Sequence, residues 1–477
     1  MRGIEKDHST RCPVPETTLP AAPSRPQDGA IAAPRLRRVL TVWDLIFYGI
    51  VAVTPSAPAT VFGLAKVRSH GHAVVTILAA MVAMVLTAVS YGRMAALYPS
   101  AGSAYTYVGR GLHPYLGFVA GWAMTLNYVI SPLFCTIYGT LTLQRLIPAL
   151  PYPVGIAFFA GIMTFLNLRG IRSTARANQV LLVFMFAVLM SYVVLAVRFL
   201  VARDGAAGVF STLPFYNPTT FNLRDLAGAT SFAALTYLGF DAVTTLAEDV
   251  HNPRRNVMLS AVVVCVFTGV FGGVLVYLAQ LVWPDYASFT NVETAFIDVT
   301  RRVGGAGLFQ AIVLLLVLAN IGAGLTAQVG AARLLFGMGR DNVIPRRFFG
   351  TLHPVSNTPN RNLWLIGALA FGGALFLNYE LTAELLNFGA FLGFMGVNLA
   401  VIWQFWVRRV EGHRRNFITD LALPTSGFLM CTVIWLGLGT PAKVAGSIWF
   451  IVGMIVLITH TRWFRRPLAL PDPASYS

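Results

Sequence analysis

Runs of about twenty apolar residues, the length an α-helix needs to cross a bilayer, follow one another from Leu40 almost to the end of the chain. In hydrocarbon every backbone N–H and C=O must find its partner inside its own segment, so runs like these fold as helices. Twelve spans are read, at roughly 41–63, 73–97, 115–140, 153–168, 178–200, 225–250, 258–283, 307–335, 362–378, 382–407, 420–438 and 444–462. Composition agrees: 56% of the 477 residues are hydrophobic and 11% are charged, against about 25% charged in a soluble domain. An all-α polytopic membrane protein without a sizeable soluble domain is expected.

The net charge of +16 suggests nucleic acid only until its placement is considered. With both termini inside, 26 of the 35 Lys and Arg fall on the inner side and 9 on the outer. That is the positive-inside asymmetry, and it predicts a multi-pass protein of the plasma (inner) membrane with both termini cytoplasmic. The same placement suits contact with anionic lipids of the inner leaflet and gives no reason to expect a nucleic-acid partner. Cys12, Cys135, Cys265 and Cys431 have no paired spacing, so neither a disulfide framework nor a metal site is implied. No cofactor is expected. Residues 1–38, broken by six prolines and poor in apolar residues, read as a disordered cytoplasmic tail, and 466–477 as a second cytoplasmic tail.

Two spans are interrupted. In the first, Pro55 and Pro58 each remove a backbone donor and clash with the preceding turn. In the sixth, Gly239 stands beside Asp241 within an apolar run. A carboxylate at membrane depth is costly and faces a cavity or a partner, and glycine lets the backbone open beside it. Interruptions at corresponding positions of two halves are the sequence pointer to an inverted-repeat transporter with its site near the midplane.

Four segments carry a family resemblance: Ser90–Tyr107, with its Tyr-Pro-Ser-Ala-Gly-Ser-Ala-Tyr-Thr-Tyr loop; Asp241–Asn256; Arg333–Pro345; and Leu385-Leu-Asn-Phe-Gly-Ala-Phe391. Together they resemble the amino acid–polyamine–organocation family of secondary transporters. The proline-bearing first span and the 98–107 loop are most similar to its putrescine-importer-like branch. The resemblance covers about residues 38–465. It implies a ten-helix core of two inverted five-helix repeats over 39–409, a LeuT-like arrangement, with two additional helices over 410–465. It also implies that the first and sixth spans unwind around the substrate, at Val53, Thr54, Pro55 and Ser56 and at Thr236, Tyr237, Gly239 and Phe240, with Leu235 and Asp241 alongside. Many amino-acid carriers of the family have a glycine-rich break in span one. Here two prolines remove amide donors that would hold a substrate carboxylate, which favours an amine.

Asp241 has two roles open to it, cation partner or brace for the broken backbone. Asp241, Thr244 or Thr245, and Glu248 follow at helical spacing and can share a face. In span three, Tyr128 resembles a tyrosine at the substrate pocket of the putrescine-like branch, whereas Asn127 stands where that branch often has an acid. Glu248 and Asp249, with Arg93, are candidate inner-gate residues. Asn320 and Thr326 are candidates for an ion site, although a lone polar residue in a span is commonly an interhelical hydrogen bond. Span five lacks the lysine of some proton-driven relatives, and all eight histidines lie in tails, links or span ends.

A membrane enzyme would need clustered catalytic groups, and a nucleotide-driven pump a phosphate loop; neither pattern is present. The expectation is a secondary transporter that imports amino acids or amines such as putrescine by alternating access, driven by an ion gradient, with protons the leading candidate. Its partners would be a small substrate, a coupling ion and lipid. The alternative is a transporter-like sensor or a channel that does not accumulate substrate.

Overall fold

A computed structural model describes residues 40–99, 103–169, 175–247, 249–340, 344–353, 358–410 and 412–463. The tails read at 1–38 and 466–477 and the candidate gate residue Glu248 lie outside the described residues.

Each predicted span falls on helix. The first is a pair, α1 (Val42–Val53) and α2 (Ala57–Arg68), bent by 48° at the proline break. Then come α3 (Ala73–Leu97), a short α4 (Ser103–Gly111), α5 (Pro114–Leu146), α6 (Tyr152–Leu168) and α7 (Ala175–Asp204). The sixth span begins as α8 (Leu223–Ala233) and continues in 3-10 geometry to Leu246. α9 (Pro253–Val282), α10 (Ala295–Arg340), a one-turn α11 (Arg346–Phe349), α12 (Asn360–Phe376), α13 (Tyr379–Val401), α14 (Leu423–Leu436) and α15 (Thr440–His460) complete the order. Among the described residues, nine helical segments are long and apolar enough to cross a membrane, and ten with the bent pair counted as one. The helices at the fourth and ninth predicted spans, α6 and α12, have 17 residues each.

Local chemistry sets several helix ends. At α1 the Thr41 hydroxyl accepts the Asp44 N–H, and the Asp44 carboxylate accepts the Thr41 N–H at 2.8 Å, a capping box. Asn378 caps α13 by accepting the Leu381 N–H at 2.8 Å. Two segments depart from the expected links. α4 occupies the loop after span two. α10 begins within the predicted 284–306 link and kinks at Gly305, whose φ is +63°.

α13 is the main buttress. Its Asn387 donates to the Ser231 carbonyl at 2.7 Å, one turn before the sixth span loses α-helical geometry. Its Tyr379 hydroxyl donates to the Thr60 carbonyl of α2. Gly389 lets it approach α5 so closely that a Cβ there would stand 2.3 Å from the Ala123 carbonyl oxygen. Small residues at helix contacts and side-chain ties between helices are how membrane bundles hold together without a hydrophobic drive. A similar tie centres on buried Gln328 of α10, which accepts from Asn167 at 2.8 Å and donates to Thr164 at 2.8 Å, both on α6.

α14 and α15, at the place of the two additional helices expected from sequence, are attached by specific contacts. The indole N–H of Trp122 on α5 donates to the Trp449 carbonyl at 2.9 Å, and that of Trp449 returns to the Trp122 carbonyl at 3.1 Å, with the rings stacked 4.9 Å apart. On α14 the Cys431 thiol meets the Thr87 hydroxyl of α3 at 3.4 Å, and Asn398 of α13 donates to the same hydroxyl at 3.2 Å.

Candidate functional site

The two breaks lie against each other. α1 ends at Val53, and Thr54 takes φ +66° and ψ 107°. Its N–H still reaches the Ile50 carbonyl at 3.1 Å, and its hydroxyl donates to Val51 at 3.4 Å. Pro55 is buried and Ser56, also buried, starts α2 without a side-chain cap. The expected unwound piece from Val53 to Ser56 is therefore confined to Thr54–Ser56 and its neighbours.

The irregular part of span six is longer than the expected Thr236–Phe240. Ala234–Tyr237 is a 3-10 turn, Leu238 is extended, Gly239 is left-handed at φ +105°, and a second 3-10 segment runs from Phe240 to Leu246. A Cβ at Gly239 would stand 2.8 Å from the Ala52 carbonyl oxygen and 3.5 Å from the Val53 nitrogen. Glycine is required twice over here, by φ and by the approach of the other break. Three residues per turn in a 3-10 helix stack Thr244, not Thr245, on Asp241, and the Thr244 hydroxyl donates to the Asp241 carbonyl at 2.7 Å.

Asp241 is the second residue of this 3-10 segment, which no side chain caps. The residue is 8% exposed. Its carboxylate lies beside the backbone N–H groups of Gly239 and of Asp241 itself, where the partial positive charge of a helix N-terminus favours an anion. Among the described residues, no Lys, Arg or His forms an ion pair with it. Tyrosine hydroxyls stand within its electrostatic reach: Tyr48 of α1, Tyr91 of α3 and Tyr128 of α5. Tyr48 and Tyr128 keep 43% and 38% of their surface accessible. The Tyr128 ring borders Gly330 of α10.

Other sequence candidates have different surroundings. Asn127 donates to the Leu386 carbonyl at 3.2 Å and ties α5 to α13. Tyr237 donates to Ile77 of α3 at 2.8 Å, and Thr236 bonds back to Ala233. Leu235 is half-buried. Phe240 is fully buried between the rings of Tyr91 and Phe394, 5.5 and 5.3 Å away. Asn320 is buried and donates to Leu316 within α10, whereas Thr326 is exposed and bonds to Gly322. Six positions apart on an α-helix, these two stand on different faces.

Arg93 pairs with Asp420 at 2.6 Å, not with Asp249. The guanidinium lies 4.0 Å over the Phe405 ring. Asp420 is fully buried and also accepts from the Asn416 N–H at 2.8 Å, with His413 at 3.0 Å. The Asp249 backbone carbonyl accepts the Leu40 N–H at 3.0 Å, fastening the start of the described chain to the end of the sixth span. At the opposite end of the bundle, Arg68 of α2 bridges Glu380 and Glu384 of α13, the latter at 2.7 Å. Buried Glu384 also accepts the Gly439 N–H at 3.2 Å from the α14–α15 turn.

Tyr48, Arg68, Glu384 and Asp420 were not singled out from sequence. Glu384 and Asp420 carried a usable signal, as carboxylates in or beside apolar runs. His72, between α2 and α3, meets the Thr220 hydroxyl at 3.1 Å, and burial lowers its pKa. An apolar groove between α7 and α9, lined by Val193, Val266, Phe267 and Phe271 among others, offers nothing that would hold a polar ligand.

The amino acid permease family matches residues 40–460. Over 436 residues the chain is 30% identical to the low-affinity putrescine importer PlaP of Escherichia coli (strain K12), covering 91% of this chain and 96% of that protein. It is 28% identical to the methylthioribose transporter of Bacillus subtilis (strain 168), covering 90% and 94%. It is 24% identical to the branched-chain amino acid permease BcaP of Lactococcus lactis subsp. cremoris (strain MG1363), covering 89% and 94%.

Proposed function

We propose, from the premise that this chain belongs to the amino acid permease family, whose members are transporters and not enzymes, that it is a secondary active transporter importing a small amine. Putrescine, named in the importer of Escherichia coli, is the first substrate to test, with amino acids as the second class. The chain crosses the inner membrane twelve times with both termini cytoplasmic. Residues 39–409 form an inverted-repeat core, and 410–465 add two helices.

One observation carries the substrate class: Asp241 is a buried carboxylate at the junction of the two breaks, with no cationic partner among the described residues. A bound ammonium supplies the missing charge. Tyr48 and Tyr128, accessible beside it, present hydroxyls and ring faces that attract a cation. The missing amides of Pro55 and Pro58 work against an α-carboxylate and leave an amine unaffected. Backbone groups of Thr54–Ser56 and Ala234–Gly239 replace water around the substrate.

Transport proceeds by alternating access. Substrate enters between the breaks, and the Arg68–Glu380–Glu384 cluster seals the outer side. The inner side opens near the start of α1 and the end of the sixth span, with Asp249, Glu248 and Arg93 as the candidate gate. An ion gradient, with protons as the leading candidate, drives accumulation.

Asp241→Asn tests this reading. A hydrogen bond to a charged group contributes about 1.5–3 kcal/mol, so putrescine affinity should fall by at least about tenfold in equilibrium binding. Thermal stability should stay near that of the wild type. Unchanged putrescine affinity would assign Asp241 the bracing role alone.

A further inference from the structure

α13 does not end as an ordinary helix. It continues as a π-helix, Ile402–Arg408, and a second π-helix, Ile418–Ala422, leads into α14. π-Helical turns account for well under 1% of residues and are frequent at functional sites. Arg408 at the end of the first and Arg409, Arg414 and Arg415 in the turn between them are all exposed. Among the described residues none of the four has an acidic partner. The nearby acid that is described, Asp420, is buried and already held by Arg93 and His413.

One of these cations is pre-ordered. Arg415 donates to the Trp406 carbonyl at 2.6 Å and its guanidinium lies 4.9 Å over the Trp406 ring. That ring packs edge-on against Phe417. Large apolar side chains flank the turn and stay open: Trp403, Val407, Phe417 and Ile418 are 45–63% exposed. Guanidinium groups match phosphate oxygens in a fixed fork. Aromatic residues at the membrane interface bridge headgroup and acyl levels.

We propose that Arg409, Arg414 and Arg415, with the apolar side chains beside them, form a binding site for an anionic phospholipid of the inner leaflet. The headgroup phosphate rests on Arg409, Arg414 and Arg415, and an acyl chain lies along Trp403 and Val407. The apolar flank selects a lipid over free phosphate. This assignment rests on the inward orientation given under the proposed function. The same turn carries His413 and Asn416, which hold Asp420 against Arg93 of α3. A bound lipid therefore stiffens the junction between α3 and α14.

The test is thermal unfolding of the purified full-length protein in detergent, with added phosphatidylglycerol, phosphatidylcholine or inorganic phosphate. It is run on the wild type, on Arg409→Gln/Arg414→Gln/Arg415→Gln, and on Arg346→Gln/Arg347→Gln at another basic inner segment. Phosphatidylglycerol should raise the wild-type midpoint by several degrees and the other two additives should not. The triple variant should lose that shift and the α11 variant should keep it. A full shift in the triple variant would overturn the proposal. So would an equal loss in the α11 variant, which would mean diffuse attraction, or an equal shift with inorganic phosphate, which would mean a free-anion site. Arg414→Gln alone gives the same reading, with a partial loss expected, if the triple variant does not fold. The readout needs no transport, so it stands or falls separately from the transported substrate.

Discussion

Between α1 and α2 the chain turns through 48° over Thr54–Ser56, whereas the sixth span leaves α-helical geometry from Ala234 all the way to Leu246. The first break is short because proline makes it: a missing donor and a ring clash end one helix, and a fixed φ starts the next. It leaves a β-branched Thr54 at φ +66°, a strained position. The second break is long because glycine only permits it. Its shape is held from outside, by Asn387 before the break and by Tyr237 on α3 within it. The proline break is built into its own sequence; the glycine break depends on its neighbours and carries the acid.

That contrast makes glycine and threonine substitutions opposite probes. The largest effect is expected at Gly239→Ala. A left-handed backbone costs an L-residue roughly 1–2 kcal/mol, and the new Cβ would press on the Ala52 carbonyl. Putrescine transport should fall by more than about tenfold with the protein still in the membrane; near-normal uptake would mean that the breaks do not meet in the working protein. A middle effect is expected when Pro55 and Pro58 both become glycine. One restored amide hydrogen bond contributes about 1 kcal/mol, so recognition of α-amino acids relative to amines should rise by roughly fivefold in competition assays. An unchanged ratio would remove the argument from missing amides. The smallest effect is expected for Thr54→Gly. Relief of the positive φ and the entropy gained by the unfolded chain nearly cancel, each being about 1 kcal/mol, so the unfolding midpoint should hardly move. A large loss of binding there would instead make the Thr54 hydroxyl a ligand.

The positions of the helices and both breaks were legible because their signals are local: apolar runs of bilayer length, two prolines, and a glycine beside an acid. The extent of the second break was not, since 3-10 geometry from Ala234 to Leu246 answers to packing by α3 and α13. Nor were the ion clusters. Arg68 finds Glu384 at a separation of 316 positions, and Arg93 pairs with Asp420 and not with Asp249, which is nearer in sequence. Partner choice of that kind is set by which helix ends share a level in the bundle, and a one-dimensional charge pattern does not contain it. The same limit hid the Trp122–Trp449 pair, so the last two helices gave no sign in sequence of how they are fastened. Tyr48 escaped notice as one aromatic among many in an apolar run; only its accessibility beside Asp241 separates it from packing residues.

Counterflow tests the central claim most directly. Proteoliposomes containing the purified wild-type protein are loaded with unlabelled putrescine and diluted into a trace of labelled putrescine. A transporter that binds putrescine between its two breaks gives a transient accumulation of label above equilibrium, and the Asp241→Asn protein gives a much smaller one at the same putrescine concentration. Label that only equilibrates in wild-type vesicles, or an overshoot of equal size with Asp241→Asn, would contradict the account.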